Sequence, residues 1–271
     1  MEILIKAARI SYGVMIIGLA GQQIFYVDFR TVILPPGFSS IPAHAFFVYL
    51  LSAILIAAGI TIVFNIQARI ISLVLGGLFL LLIVFCQIPY EIFFDQYANH
   101  LGTWTQALKE LVFCGGAFVV AGPFPVKKEN RKKENVLIGL LEKFIPFGGI
   151  FMCVTMIFFG IDHFFYADGV SGLVPNWIPW HLFWTYFAGV ALIGSGITII
   201  LKIKLKLSAI LLSLMIFLWL VVLHIPRALA DPNSLQGNEV SSVFEAFGFS
   251  GIAYLIACGY NNNYTAETDV S

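Results

Sequence analysis

Eight stretches of this chain are long and apolar enough to cross a lipid bilayer. They cover residues 8–27, 42–64, 68–88, 105–122, 146–166, 180–201, 205–225 and 243–260. A transmembrane helix needs about 20 mainly apolar residues, and lipid offers the backbone no hydrogen-bond partners. Runs such as LVLGGLFLLLIVF (73–85) lack the polar alternation of a membrane β-strand. The predicted fold is therefore an all-α integral membrane protein with eight transmembrane helices.

The charged residues are few and unevenly distributed. They make up 11% of the chain and sum to a net charge of zero, so no nucleic-acid partner is indicated. If the amino terminus is cytoplasmic, the three basic residues on the outer side are Arg30, Lys109 and Arg227. The twelve on the inner side are Lys6, Arg9, Arg69, Lys127, Lys128, Arg131, Lys132, Lys133, Lys143, Lys202, Lys204 and Lys206. This bias predicts a multi-pass protein of the cytoplasmic (inner) membrane with both termini in the cytoplasm.

The two halves of the chain share a sequence pattern. Residues 42–62 and 179–199 are identical at ten of 21 positions, including Pro, His, Tyr, Gly and Thr. Shorter motifs recur at similar spacing, with FYVD (25–28) matching FYAD (165–168) and QIP (87–89) matching HIP (224–226). The pattern predicts tandem duplication of a four-helix unit. Because each unit has an even number of spans, the two copies are parallel repeats.

The duplication divides the chain into four predicted segments. Residues 1–124 form the first unit, 125–136 a basic cytoplasmic linker, 137–262 the second unit and 263–271 a disordered tail. The first span has the charge pattern of a signal peptide, with GLA before Gly21. We interpret it as a retained helix, because the matching span in the second unit cannot be a signal.

The motifs resemble those of the DoxX-like superfamily of four-helix membrane proteins, here doubled. They are GIDHFFYADG (160–169), a proline-led second helix with GSGITI (194–199), and a third helix that closes on HIP (224–226). The first unit departs from this signature, with GQQIFYVDF at 21–29. The resemblance implies a quinone-linked or other redox membrane subunit, but it brings no catalytic residues with it.

The polar residues indicate where a ligand would bind. All five histidines lie at or beyond the predicted outer ends of helices. The second unit has Asp162, His163 and His224 where the first has glutamines. We therefore predict a polar pocket on the extracytoplasmic side of the second unit. The candidate ligand-binding residues are His163, His181, His224, Asp162, Arg227, Glu245, Tyr186, Trp184 and His44.

Several interpretations of these residues stay open. His44 and His181 begin helices among aromatic residues, so they fit an interfacial aromatic belt as well as a binding site. A quinone is favoured as ligand over haem or a metal ion, because no metal-binding spacing such as HExxH is present. Glu110 is interpreted as structural, paired with Lys109, and Gly59 and Gly196 as sites of close helix packing.

Three classes of function are compatible with this pattern. The first is a redox membrane subunit that handles a quinone at the outer surface. The second is a transporter of a small or lipidic molecule. The third is a noncatalytic accessory protein that stabilises partner subunits. The family resemblance and the histidines of the second unit favour the first class, with the bilayer and a lipid-soluble molecule as partners.

Overall fold

The computed structural model describes the backbone of residues 2–122 and 136–268 and the side chains of 2–122 and 136–259. These residues form helices and connecting loops without a β-strand. The helices are α1 (Glu2–Tyr26), α2 (His44–Phe64), α3 (Ala68–Phe93), α4 (Thr105–Ala121), α5 (Val136–Glu142), α6 (Gly148–Phe165), α7 (Ala167–Ser171), α8 (His181–Ile200), α9 (Leu205–Ala230) and α10 (Asn238–Thr268).

Seven helical segments of the described chain are long and apolar enough to cross a membrane. They are α1, α2, α3, the segment Val136–Phe165 that includes α5 and α6, α8, α9, and α10 over Asn238–Gly259. The prediction of a multi-pass helical membrane protein is therefore confirmed. The predicted span 105–122 coincides with α4, which has 17 residues and carries Lys109 and Glu110. At 1.5 Å per residue it is about 26 Å long, less than the roughly 30 Å core of a bilayer.

The helices of the two halves interlock. Helix α1 packs against α2 of its own half and against α10 of the other half, while α4 packs against α3 and α6. Helices α4 and α10 also contact each other. Their side chains share one hydrophobic core, in which the Tyr12 hydroxyl donates a hydrogen bond to the carbonyl oxygen of Phe113 at 2.7 Å. Residues near the centre thus have neighbours from both halves.

Local backbone conformations recur 137 residues apart. Helix α3 contains a π-helical turn at Ile83–Gln87, and α9 contains one at Leu220–His224. Each turn is followed by Ile-Pro. The same left-handed conformation occurs at three pairs of residues with this spacing: Ala43 and Trp180, Asn65 and Lys202, and Gln67 and Lys204. The sequence similarity between the halves is therefore accompanied by matching irregularities of the backbone.

Two glycines allow helices of the same half to approach closely. A Cβ atom on Gly59 would lie 2.6 Å from Ile17 Cγ1 and 2.8 Å from the Gly13 carbonyl oxygen. A Cβ atom on Gly196 would lie 2.6 Å from Ile157 Cγ1 and 2.8 Å from the carbonyl oxygen of Cys153. The predicted role of both glycines in close packing is confirmed. These contacts also align the first helices of the two halves at a spacing of 140 residues.

The ends of the predicted segments differ from the structure in two places. Helix α1 begins at Glu2 rather than residue 8, and α10 continues to Thr268, into the predicted disordered tail 263–271. Extending an existing helix avoids the cost of nucleating a new one, which accounts for both differences. Residues 269–271 and all of the predicted linker 125–136 except Val136 lie outside the described residues.

Candidate functional site

A cavity of about 290 Å³ lies in the second half, between α6, α8, α9 and α10. Its walls are mainly apolar and aromatic, with Phe159, Trp184, Trp219 and Phe249 among them. The loop after α6 contributes Val170, Leu173 and Val174 to the same lining. A mostly apolar cavity with a few polar groups is typical of small-molecule binding sites.

Four ionisable side chains line this cavity: Lys109, His163, His224 and Glu245. Lys109 Nζ lies 2.8 Å from Glu245 Oε2, with the two side chains only 15% and 6% exposed. This ion pair joins α4 of the first half to α10 of the second. The site is therefore built from both halves of the chain rather than from the second half alone.

The expected pairing of Lys109 with Glu110 is wrong. Adjacent residues on a helix point about 100° apart, so their side chains do not face each other. Lys109 points toward Glu245, while Glu110 is fully buried and neither of its carboxylate oxygens has a hydrogen-bond partner among the described residues. Glu245, chosen from its position in the repeat, is the carboxylate that reaches the cavity.

His163 presents a defined hydrogen-bonding group to the cavity. Its Nδ1 atom lies 2.7 Å from the carbonyl oxygen of Phe159. Because a carbonyl oxygen can only accept a hydrogen bond, Nδ1 must carry the proton. In the neutral ring, Nε2 is then a hydrogen-bond acceptor.

His224 is the last residue of the π-helical turn in α9. Such turns are rare and are often found at functional sites. The ring interacts electrostatically with Glu245, Lys109, Glu239 and Arg227. Within the part of the chain that the structure describes, neither ring nitrogen has a hydrogen-bond partner, so His224 retains its capacity to bind a ligand.

Of the nine candidate residues, His163, His224, Glu245 and Trp184 line the cavity. His181 does not join them. It is the first residue of α8 and lies at the surface beside Trp180 and Phe183. Trp184 lies nearly one turn further along α8, on the side of that helix that faces the cavity.

The other four candidates have separate neighbours. Arg227 Nε lies 3.0 Å from Glu239 Oε2, and Tyr186 stacks on Phe164 with a centroid separation of 5.4 Å. Asp162 is absent from the cavity lining, and its buried Oδ1 atom has no hydrogen-bond partner in the described residues. His44 belongs to the first half, where its Nε2 lies 3.1 Å from Asp28 Oδ1.

In the first half, the residues that match His163 and His224 bind the protein's own backbone. Gln23 Oε1 accepts a hydrogen bond from the backbone N–H of Arg30 at 3.2 Å. Gln87 Nε2 donates a hydrogen bond to the carbonyl oxygen of Thr31 at 2.7 Å. The segment 29–34 is largely buried there. The first-half glutamines are thus occupied by a loop, whereas the histidines of the second half line a cavity.

Arg30 anchors this loop to the second half. Its guanidinium donates hydrogen bonds to the carbonyl oxygen of Gln236 at 2.6 Å and to Ser241 Oγ at 2.9 Å. Ser241 in turn donates to Gln22 Oε1 at 2.8 Å. Burial lowers the pKa of the Arg30 guanidinium, and the nearby carboxylate of Glu245 opposes this effect. The loop and α10 are therefore fixed to each other by a buried polar network.

Sequence reasoning missed several residues of the site. Lys109 was missed because the two units were treated as separate, and the interlocking of α4 with the second half is a tertiary feature. Trp219 carries a recognisable signal, since it lies on the same helix as His224 five residues earlier and so points to a similar side. No group of three or more His, Cys, Asp or Glu side chains that could hold a metal ion occurs in the described ranges.

Comparisons of the chain with protein-family models, with curated proteins and with solved structures find no match.

Proposed function

We propose that this protein binds a planar, lipid-soluble molecule of the quinone class in the cavity of its second half. The observation that carries the proposal is the convergence of Lys109, His163, His224 and Glu245 on an aromatic-lined cavity of about 290 Å³. In a membrane protein, ionisable side chains away from water are costly and are typically functional. The resemblance to the DoxX-like superfamily favours the same class of ligand.

The chemistry of a quinone headgroup fits this lining. The ring is flat and apolar, so it stacks favourably against aromatic side chains such as Trp184 and Trp219. Its oxygens accept hydrogen bonds, and the ammonium group of Lys109 and the imidazole of His224 are donors. Ionisable groups beside a quinone can exchange the protons that accompany its reduction. We therefore propose a redox membrane subunit, with a partner subunit that exchanges electrons with the bound quinone.

We also propose that the chain crosses the membrane eight times as two parallel four-helix repeats. The matching π-helical turns and left-handed residues at a spacing of 137 support the duplication. Helix α4 is enclosed by α3, α6 and α10, so it faces protein more than lipid and tolerates a shorter, more polar sequence.

The distribution of basic residues supports an orientation with both termini in the cytoplasm. We expect a cysteine introduced at position 131 to react with a membrane-impermeant thiol reagent only from the cytoplasmic side. A cysteine at the exposed His100 should react only from the opposite side. Labelling of both positions from the same side would contradict the proposed topology.

Ligand binding is testable by tryptophan fluorescence. A short-chain benzoquinone should quench the emission of the purified protein in lipid nanodiscs in a saturable way, because Trp184 and Trp219 line the cavity. Trp177 is 72% exposed and lies outside the lining, so Trp177→Phe should leave the quenching intact. Trp184→Phe combined with Trp219→Phe should remove most of it.

The histidine contribution is measured in the same assay. We expect His224→Ala to weaken quinone binding about tenfold, which corresponds to one lost hydrogen bond of roughly 1.4 kcal/mol. His100→Ala, at an exposed loop position, is the matched control and should bind as the wild type does. Unsaturable quenching that is the same in all variants would contradict the proposed function.

A further inference from the structure

We infer that the cavity selects a ligand that offers a hydroxyl donor to His163 and an oxygen acceptor to His224, so that it binds a hydroquinone more tightly than the corresponding quinone. This inference rests on the proposed function and specifies the form of the ligand. It follows from two observations: the hydrogen bonds made by the matching residues of the first half, and the protonation of the His163 ring.

The first-half loop shows which polar groups these two positions bind. Gln23 accepts a hydrogen bond from the N–H of Arg30, and Gln87 donates one to the carbonyl oxygen of Thr31. One short segment therefore supplies a donor to the first position and an acceptor to the second. A ligand that takes the place of such a segment in the second half would need the same two groups.

The correspondence of these positions is geometric as well as sequential. Gln87 and His224 each end a π-helical turn that precedes Ile-Pro. The first helices are aligned by the contacts of Gly59 with Ile17 and of Gly196 with Ile157, both at a spacing of 140 residues. This spacing places His163 at the position of Gln23.

The protonation of His163 gives the same polarity independently. Its Nδ1–H donates to the Phe159 carbonyl oxygen, so the Nε2 atom of the neutral ring carries a lone pair. A hydroquinone hydroxyl donates to that lone pair. A quinone oxygen has only lone pairs of its own, so it would leave Nε2 without a partner in an apolar cavity, which is unfavourable.

His163 is also held in place by packing. A Cβ atom on Gly189 would lie 3.0 Å from His163 Cβ, so the helix backbone of α8 limits the movement of this side chain. The ring therefore cannot readily turn to hide its acceptor. The position opposite His163 matches Ser52 in the first half, whose hydroxyl accepts a hydrogen bond from Gln23 at 3.0 Å.

The test compares three ligands of nearly the same shape by titration calorimetry on the full chain in nanodiscs. The ligands are tetramethylbenzoquinone, its hydroquinone under anaerobic conditions, and the dimethyl ether of that hydroquinone, which has no donor. We expect the hydroquinone to bind at least about tenfold more tightly than either of the others.

Variants of His163 identify the group responsible. His163→Phe removes the acceptor, so the preference for the hydroquinone should fall to near unity. His163→Gln retains an acceptor of the kind seen at Gln23, so it should preserve part of the preference. Equal affinities of the three ligands for the wild-type protein would overturn this inference and leave the proposed function standing. Binding of none of them would instead contradict the proposed function.

Discussion

Replacing Lys109 with Met is expected to lower the free energy of unfolding by about 3 kcal/mol. The change leaves the Glu245 carboxylate, whose side chain is 6% exposed, without its partner at 2.8 Å. Removing one member of a buried ion pair typically costs about 3–5 kcal/mol, because the remaining charge has lost its compensation. Unfolding by SDS titration in mixed micelles, followed by the loss of helical circular dichroism, measures the difference.

Two further variants isolate the pair. Lys109→Met combined with Glu245→Gln removes both charges, so it should be more stable than Lys109→Met alone. Glu110→Gln on the same helix is the matched control, because its side chain is buried without a partner and little is lost when its charge is removed. If the double variant were as unstable as the sum of the two single variants, the proposed pairing would be refuted.

Replacing Gly196 with Val is expected to destabilise the protein by about 2–3 kcal/mol. Any Cβ atom at this position meets the backbone oxygen of Cys153 at 2.8 Å, and a backbone atom cannot move aside as the end of a side chain can. Overpacking of this kind typically costs about 1–3 kcal/mol. The thermal midpoint in detergent and the SDS unfolding midpoint should both decrease.

Gly194 supplies the control for this substitution. It lies on the same helix, and a Cβ atom there would meet nothing within 4 Å. Gly194→Val should therefore be close to neutral, whereas Gly59→Val in the first half should resemble Gly196→Val. Equal effects at positions 194 and 196 would show that helix propensity, not close packing, determines the stability at these glycines.

The sequence predicts the helices well and the site partially. Each predicted span coincides with a helix, because runs of about 20 apolar residues have few alternatives in a bilayer. The substitution of glutamines by His163 and His224 correctly indicated residues that share a cavity. That signal exists because the repeated pattern gives each half a reference for the other.

The remaining features depend on tertiary arrangement. His181 lies outside the cavity because the rotation of α8 places Trp184 and Thr185 toward it instead. Lys109 reaches Glu245 because α4 packs in the centre of both halves, which no local pattern indicates. Arg227 binds Glu239 rather than a ligand, and the two residues are separated by a loop whose path the sequence does not specify.

Photoaffinity labelling tests the central claim, that the second-half cavity is the ligand site, most directly. A benzoquinone that carries a small diazirine should label peptides within 156–174, 184–192 and 215–224, which contain most of the lining residues. Excess tetramethylhydroquinone should suppress this labelling, and His224→Ala should reduce it. Labelling confined to exposed apolar positions such as Leu81 and Phe85 of α3, and unaffected by the competitor, would contradict the claim.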